Sequence, residues 1–329
     1  MAVTTGVDAD VRRRFVGRAF GIELGADFRL PGVLEPGDPD QIRRPGVRHI
    51  DLSLQEAAAA GADWPRGTAV RTFELPGPGG DHVFTIDRHP DAGYRVWIAG
   101  LGQCFIGPEG DWIRCDPPEG PNPWELLIGQ GLPIAAALQG LEVLHASAVR
   151  LGSTSLAFVA PAGTGKTSLA LHLLGRGAEF LADDVVALEA DGDTLLTHPG
   201  IGLANAPCTE RESLESAGVD IRWPAATAPK HHVPVATPRG PVPLRAIYFL
   251  KRTQAVEEPE IVAIDPPDPC LLLGSTFVAH VPTAARLITQ LDICSRIART
   301  VPLFRVRAPA EGRAAELAAR IARHIGTIG

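Results

Sequence analysis

The chain has 329 residues, 45% of them apolar and 21% charged, with a formal net charge of −7 and a pI of about 5.8. That length suggests about two domains of ~150 residues each, with apolar mass enough for a sizeable core. The acidic balance counts against a broad nucleic-acid or anionic-membrane surface, and five widely spaced cysteines without a CxxC pair favour reduced thiols over disulfides or zinc.

The opening MAVTTGVDADVRRRF lacks the apolar stretch of a secretory signal, so a cytoplasmic protein is expected. Residues up to about 120 alternate as strands do. AFGIELG sets Phe20, Ile22 and Leu24 on one face, and RHIDLSL does the same with Ile50, Leu52 and Leu54. HVFTIDR, YRVWIAG and QCFIGPEGDWIRC continue the pattern, the last as a hairpin turning at PEGD. Pro/Gly loops such as LPGVLEPGDPD and LPGPGGD separate them. PPEGPNP (117–123) is a natural boundary, which predicts a β-rich α+β N-terminal domain over 1–122 and a second domain over 123–329.

The second domain opens with a helix over roughly 124–140. The apolar run 126–144 is broken by Gln130, Pro133, Gln139 and Glu142, a poor membrane span. EVLHASAVRLG reads as a strand, and TSLAFVA as a buried strand running into a glycine-rich loop. KTSLALHLLGRG is a helix with Leu169, Leu173 and Leu174 as its stripe and Gly175 and Gly177 as stops. AEFLADDVVALEADGDTLLTHPG gives a strand, a turn at DGD and a second strand, and 206–243 is loop-like. LRAIYFLKR is a strand, TAARLITQLDICSRIAR an amphipathic helix and VPLFRVRAP a strand. A last helix aligns Leu317, Ile321 and Ile325. Strand–loop–helix units with returning strands indicate an α/β core.

The chemistry concentrates at APAGTGKTS (160–168), which fits the phosphate-loop pattern G-x-x-x-x-G-K-[ST] except that Ala160 replaces the first glycine. Ala fits a strand end whose φ is negative. Ala162, Gly163, Thr164, Gly165, Lys166, Thr167 and Ser168 would surround the phosphates of ATP, with the Lys166 ammonium on the β- and γ-phosphates and the Thr167 hydroxyl on Mg2+. Downstream, FLADDVVAL offers Asp183 and Asp184. One carboxylate can hold the water shell of the metal while the other takes a hydroxyl proton. Adjacent strand residues face opposite ways, so both serve one site only where the strand ends or bends. Upstream, His145 in LHASAV could reach Asp183 and tune its proton affinity, or equally be a structural histidine.

Together, LHASAV, AFVAPAGTGKTSLA, GAEFLADDVVAL and HPG resemble the nucleotide-binding core of the HPr serine kinase/phosphorylase family. They resemble more closely the wider HPr-kinase-like branch, some members of which occur with peptide natural-product systems and phosphorylate a peptide serine. The similarity is strong over about 139–205 and continues loosely to about 308 through PLRAIYFLKR and VPLFRVRAP. The stretch from IGPEGDWIRCDPP through LLIGQGLPIAAALQGLEVLHASAV also looks like that branch. The resemblance implies an α/β fold of the HPr kinase/phosphoenolpyruvate carboxykinase-like type and a homo-oligomer. It also implies a catalytic group of His145, Lys166, Thr167 and Asp183, with Asp184 near the metal. Two departures count against HPr itself as acceptor and against phosphorolysis. Ser168 stands where the HPr-specific kinases carry Glu, and HPGIGLAN is not followed by a counterpart of the phosphorylase signature.

Weaker candidates remain open. Lys230 in APKHHVP lies where the family often has a basic residue near the phosphates, and competes with a solvated loop lysine. His231 and His232 read as solvated loop residues rather than metal ligands. Arg211, Arg239, Arg245 and Arg252 could each stabilise a transferred phosphoryl group, and the sequence does not choose among them. The expected function is an ATP-dependent kinase acting on a hydroxyl, first of all a Ser of a peptide or protein. The alternatives are a kinase of a small hydroxylated metabolite and a non-catalytic ATP-binding accessory. Absence of an N-K-x-D motif counts against a GTPase, and absence of an LSGGQ-like stretch against an ABC-type ATPase.

Overall fold

Period-two alternation in the first third of the chain is satisfied by one eight-stranded sheet. Its strands are β1 (Phe15–Ala19), β2 (Ile22–Ala26), β3 (His49–Leu54), β4 (Val70–Pro76), β5 (His82–His89), β6 (Gly93–Ile98), β7 (Gly102–Ile106) and β8 (Trp112–Cys115), in the spatial order β1-β2-β3-β8-β7-β6-β5-β4. The computed structural model describes residues 15–26, 28–33, 47–55, 61, 64–65, 67–77, 82–116, 124–223 and 230–327. The opening 1–14 and the expected boundary at 117–123 lie outside these.

Strand β3 runs parallel to β2 and β8, and the other neighbours are antiparallel. Leu24, Ile50, Ile86, Val96 and Ile106 are fully buried by the alternation. AFGIELG is not one strand. Phe20 (φ 56°) and Gly21 (φ 76°) turn the chain between β1 and β2. A Cβ on Gly21 would lie 2.4 Å from His198 Nδ1, so close approach and left-handed backbone both require glycine there. Strand β4 had no sequence signal because it is an edge strand whose Val70 and Leu75 face outward.

The rest of the chain begins with a π-helical turn (Leu127–Gly131) that leads into α1 (Leu132–Leu138). It continues as β9 (Glu142–Leu144), β10 (Ala146–Leu151), β11 (Thr154–Val159), α2 (Lys166–Leu174), β12 (Glu179–Ala182), β13 (Val186–Asp191), β14 (Thr194–His198) and β15 (Leu203–Pro207). A 3-10 turn (Cys208–Glu210) and α3 (Arg211–Ser216) precede β16 (Lys230–Pro234), β17 (Val242–Thr253), β18 (Glu260–Ala263), α4 (Pro269–Leu273), α5 (Ala284–Thr300), β19 (Leu303–Pro309) and α6 (Ala314–Ile325).

These strands form a nine-stranded sheet in the order β12-β10-β11-β17-β14-β13-β9, with β19 beside β17 and β18 beside β19, plus the β15–β16 pair. Strands β11, β17 and β19 are mutually parallel and form the centre of a mixed α/β layer structure. On one face, Leu169 and Leu173 of α2 and Leu317 and Ile321 of α6 pack on Phe158, Tyr248 and Val306. On the other, Ile293 and Ile297 of α5 pack on Ala157, Ile247 and Leu303.

Three expected elements divide or change. EVLHASAVRLG is two strands broken at His145, because β9 pairs with β13 while β10 pairs with β11 and β12. The strand through FLADDVV likewise ends at Ala182, turns through Asp184 (φ 58°) and resumes as β13. The 206–243 loop contains α3 and β16, and β16 pairs antiparallel with β15. The short elements β18 and α4 carried no sequence signal. The five cysteines form no disulfide, and Cys104, Cys115 and Cys294 are buried. No helix among the described residues is long and apolar enough to cross a membrane.

The two large sheets share one apolar core, in which Leu24 and Ile50 join Val143 and Ala187, and they also meet through backbone and charge. Phe20 N donates to Pro199 O at 2.7 Å, Gly202 N to Gly32 O at 2.7 Å, and Arg48 pairs with Glu189 at 2.7 Å.

Candidate active site

Open α/β sheets bind ligands beyond the carboxyl ends of their parallel strands. Here the carboxyl ends of β11, β17 and β19 lead to the glycine-rich loop, to Arg252 and to residues 310–314. All of these line one cleft of about 1260 Å3. Strand β12 runs in the same direction as β11, since both are antiparallel to β10, so Asp183 reaches the same edge.

The loop leaves β11 at Ala160, whose φ is not positive, and enters α2 at Lys166. Gly163 (φ 80°) and Gly165 (φ 100°) hold the left-handed turns. Ala162 through Ser168 all line the cleft, where the first N–H groups of a helix have no intrahelical partner. Lys166 is only 4% exposed. Its Nζ donates to Ala160 O at 2.8 Å and lies 3.2 Å from His145 Nε2. Burial lowers the ammonium's pKa, Lys230 adds to this, and Asp184 and Asp183 oppose it. Burial, and then Lys166, lower the His145 pKa, so a neutral imidazole accepts from the ammonium.

Asp183 receives hydrogen bonds from three elements. Ser147 Oγ donates at 2.5 Å, Thr167 Oγ1 at 2.8 Å and the Asn205 amide at 2.9 Å. Burial and the neighbouring Asp184 raise the Asp183 carboxyl, and these donors partly restore its charge. Asp184 projects differently. Its left-handed backbone breaks the strand, its side chain is 48% exposed, and Oδ1 lies 4.0 Å from His145 Nε2. The condition that the strand end at the Asp pair is therefore met.

His145 contacts Lys166 and Asp184; Asp183 acts on it only through charge. Lys230 lines the cleft from the start of β16. His231 and His232 are not solvated loop residues. Pairing of β16 with β15 buries His231 to 5% exposure and leaves His232 half-buried on the cleft wall. Among the arginines left open, Arg252 lines the cleft. It donates to Thr164 O (3.3 Å), Pro309 O (3.0 Å) and Gly312 O (2.7 Å), clasping the glycine-rich loop to the segment entering α6. Arg211 pairs with Glu215, and Arg245 reaches Ile325 O at the C-terminal end of α6.

Glu210 and Arg313 also line the cleft and had no advance notice. Ser168 hydrogen-bonds Glu210, which also bonds His172 at 2.9 Å and is held below the usual carboxylate range chiefly by that bond. Arg313 lines the cleft at the start of α6. Ser147 was discoverable, since two residues along a strand returns to the same face and His145 marked it.

A hard divalent cation suits oxygen donors and usually takes only one or two carboxylates from the protein beside substrate phosphates. Thr167 and Asp183 fit that pattern, and among the described residues no group of three or more His, Cys, Asp and Glu side chains converges as a metal cage.

No family model matches the chain, and no curated protein matches it. Among solved structures it is similar to the Hpr(Ser) kinase/phosphatase from Coxiella burnetii, at 12% identity and a TM-score of 0.32, over 56% of this chain and 97% of that one. At that distance the likeness says nothing of activity.

Proposed function

We propose that the protein is an ATP-dependent kinase that moves the γ-phosphoryl group to an acceptor hydroxyl. The observation that carries this is the convergence of Lys166, Thr167, Asp183 and Asp184 at one end of a left-handed glycine-rich loop. ATP supplies the phosphoryl group, and a divalent cation such as Mg2+ neutralises its charge when bound. Thr167 and Asp183 are the residues that would hold the cation. Lys166 and Arg252 would face the phosphates, and Lys230 and Arg313 would add positive charge on the same cleft.

In this reading the two carboxylates exchange the roles that the resemblance implies, which put Asp183 in the catalytic group and Asp184 near the metal. Asp183, engaged by Ser147, Thr167 and Asn205, has little capacity left for a proton acceptor's role. Asp184, half-exposed beside a neutral His145, suits the base better. The acceptor oxygen attacks the γ-phosphorus as the bond to the β-phosphate oxygen breaks. Its proton passes to Asp184 and ADP leaves.

The test follows phosphate from γ-labelled ATP into pooled Ser peptides and hydroxylated small molecules. Asp184→Asn keeps ATP affinity and loses about 10²–10⁴-fold in transfer. Asp183→Asn and Lys166→Ala instead weaken nucleotide binding. Wild-type transfer by Asp184→Asn would remove it as base, and tight ATP binding by the wild type with no transfer to any acceptor would refute the kinase reading.

A further inference from the structure

A phosphate loop orders the groups of a nucleotide along itself. Its lysine reaches the β- and γ-phosphates, while the N–H groups that open the helix hold the α- and β-phosphates. Here Lys166 Nζ lies 3.2 Å from His145 Nε2, and Phe277 stacks edge-on to His145 with ring centroids 5.6 Å apart. The terminal phosphate and Phe277 therefore share one end of the cleft. The α-phosphate leaves at the other end, beside Ser168 in the first turn of α2.

Two segments flank that exit. On one side, Glu210 bonds Ser168 and, at 2.9 Å, His172 one turn further along α2. A Cβ on Gly175 would lie 2.7 Å from Ala217 O, so α3 runs alongside α2. Thr209, Glu212, Ser213 and Ser216 face the cleft at helical spacing, as one polar stripe. On the other side, Arg252 ties the loop at Thr164 to Gly312, which brings Glu311 and Arg313 to the cleft. Glu212, Glu311 and Arg313 are exposed, and their side chains have no partner among the described residues.

The exit lacks what recognition of a base needs. A ring slot has aromatic or large aliphatic walls, with fixed donors and acceptors along the base edge. The two flanking segments bring only Ala310 and Ala314 as apolar side chains. The hydroxyls of Thr209, Ser213 and Ser216 donate or accept alike, so they do not tell one base from another. A carboxylate suits ribose, whose hydroxyls both donate, and an arginine plane stacks on any base face. We propose that the exit binds a ribonucleoside without reading its base, so that the phosphoryl donor is any ribonucleoside triphosphate. Glu212 accepts from the ribose hydroxyls, and the Arg313 guanidinium covers the base. This rests on the phosphate-loop reading that also underlies the proposed kinase.

The experiment uses the full chain with Mg2+ and measures dissociation constants for ATP, GTP, CTP, UTP, 2′-deoxy-ATP and inorganic triphosphate. The four ribonucleotides are expected within about ten-fold of one another, against the ~10⁴-fold that a hydrogen-bonding slot imposes. The 2′-deoxy-ATP and inorganic triphosphate bind about ten-fold or more weaker than ATP. Glu212→Ala, at an exposed position that folding does not need, closes the gap between ATP and 2′-deoxy-ATP. Arg313→Ala weakens all four ribonucleotides alike and leaves inorganic triphosphate unchanged. A wider spread among the bases overturns the inference, as does inorganic triphosphate binding as tightly as ATP. A gap that persists in Glu212→Ala, or weaker triphosphate binding by Arg313→Ala, overturns the part given to that residue. Base-tolerant binding without transfer to any acceptor refutes the kinase and leaves the ribonucleoside exit standing. Binding of none of the six overturns both.

Discussion

Ala160 replaces the first glycine of the motif without straining the backbone. It ends β11 without a positive φ, is 7% exposed and packs in the core that joins α2 to α6. Its carbonyl, not its side chain, receives Lys166. Restoring the motif with Ala160→Gly therefore removes a packed methyl and frees the unfolded backbone, a loss of about 0.4–1 kcal/mol from the backbone alone. Denaturant unfolding should show a lower midpoint, and nucleotide affinity should stay unchanged. A tightened ATP affinity would mean that the alanine obstructs the phosphates. The loop residues and the Asp pair were legible because their spacing along the chain is itself the signal. The different surroundings of Asp183 and Asp184 were not, because they depend on a left-handed residue and on donors from Ser147 and Asn205 that meet only in three dimensions.

Elements were legible where they are buried and regular. TSLAFVA, LRAIYFLKR and the last helix appear where the apolar pattern puts them. Breaks within apolar runs left no mark, since β9 and β10 are both buried and only their partners differ. The π-helical turn was hidden inside an expected helix for the same reason. A buried polar network also links elements far apart in sequence. Thr276 Oγ1 donates to Glu142 Oε1 at 2.6 Å and accepts from Gln290 Nε2 at 2.5 Å, joining β9 to α5. Gln290 in turn accepts from buried Arg286 at 3.1 Å. Thr276→Val leaves both partners unpaired away from water, so urea unfolding should show a loss of about 2–4 kcal/mol. Thr276→Ser, which keeps the hydroxyl, should cost about 1 kcal/mol from the lost methyl. Equal costs would show that packing, not hydrogen bonding, sets the value of this position.

At the scale of the whole molecule, the histidines make folding sensitive to acid. Burial pushes His280 down to about 4, where it sits against Phe73 and Phe84 of the first sheet, and Arg286 adds to the shift. Burial also lowers His145, His198, His232 and His324. Unfolded, each takes up a proton near 6.5, while the folded forms stay neutral below that. The unfolded state thus binds more protons as pH falls, so stability is full above about 6.5 and is lost toward the lowered folded values, by up to ~1.4 kcal/mol per pH unit for His280. Asp183 and Glu142, raised by burial, act in the opposite sense by protonating earlier in the folded chain. Urea midpoints measured from pH 7.5 to 5 should fall, and His280→Gln should flatten the decline. An unchanged slope would show that His280 does not carry it.

The cleft also has an order of assembly. A chain emerging from the ribosome releases its N-terminal part first. The turn bearing Ile98 and Leu101 is therefore outside long before Lys166, and the 310–314 segment clasped by Arg252 follows only with the final strand and helix. Nascent chains carry Ile98 and Leu101 before the glycine-rich loop exists, and the cleft is complete only once synthesis has passed α6.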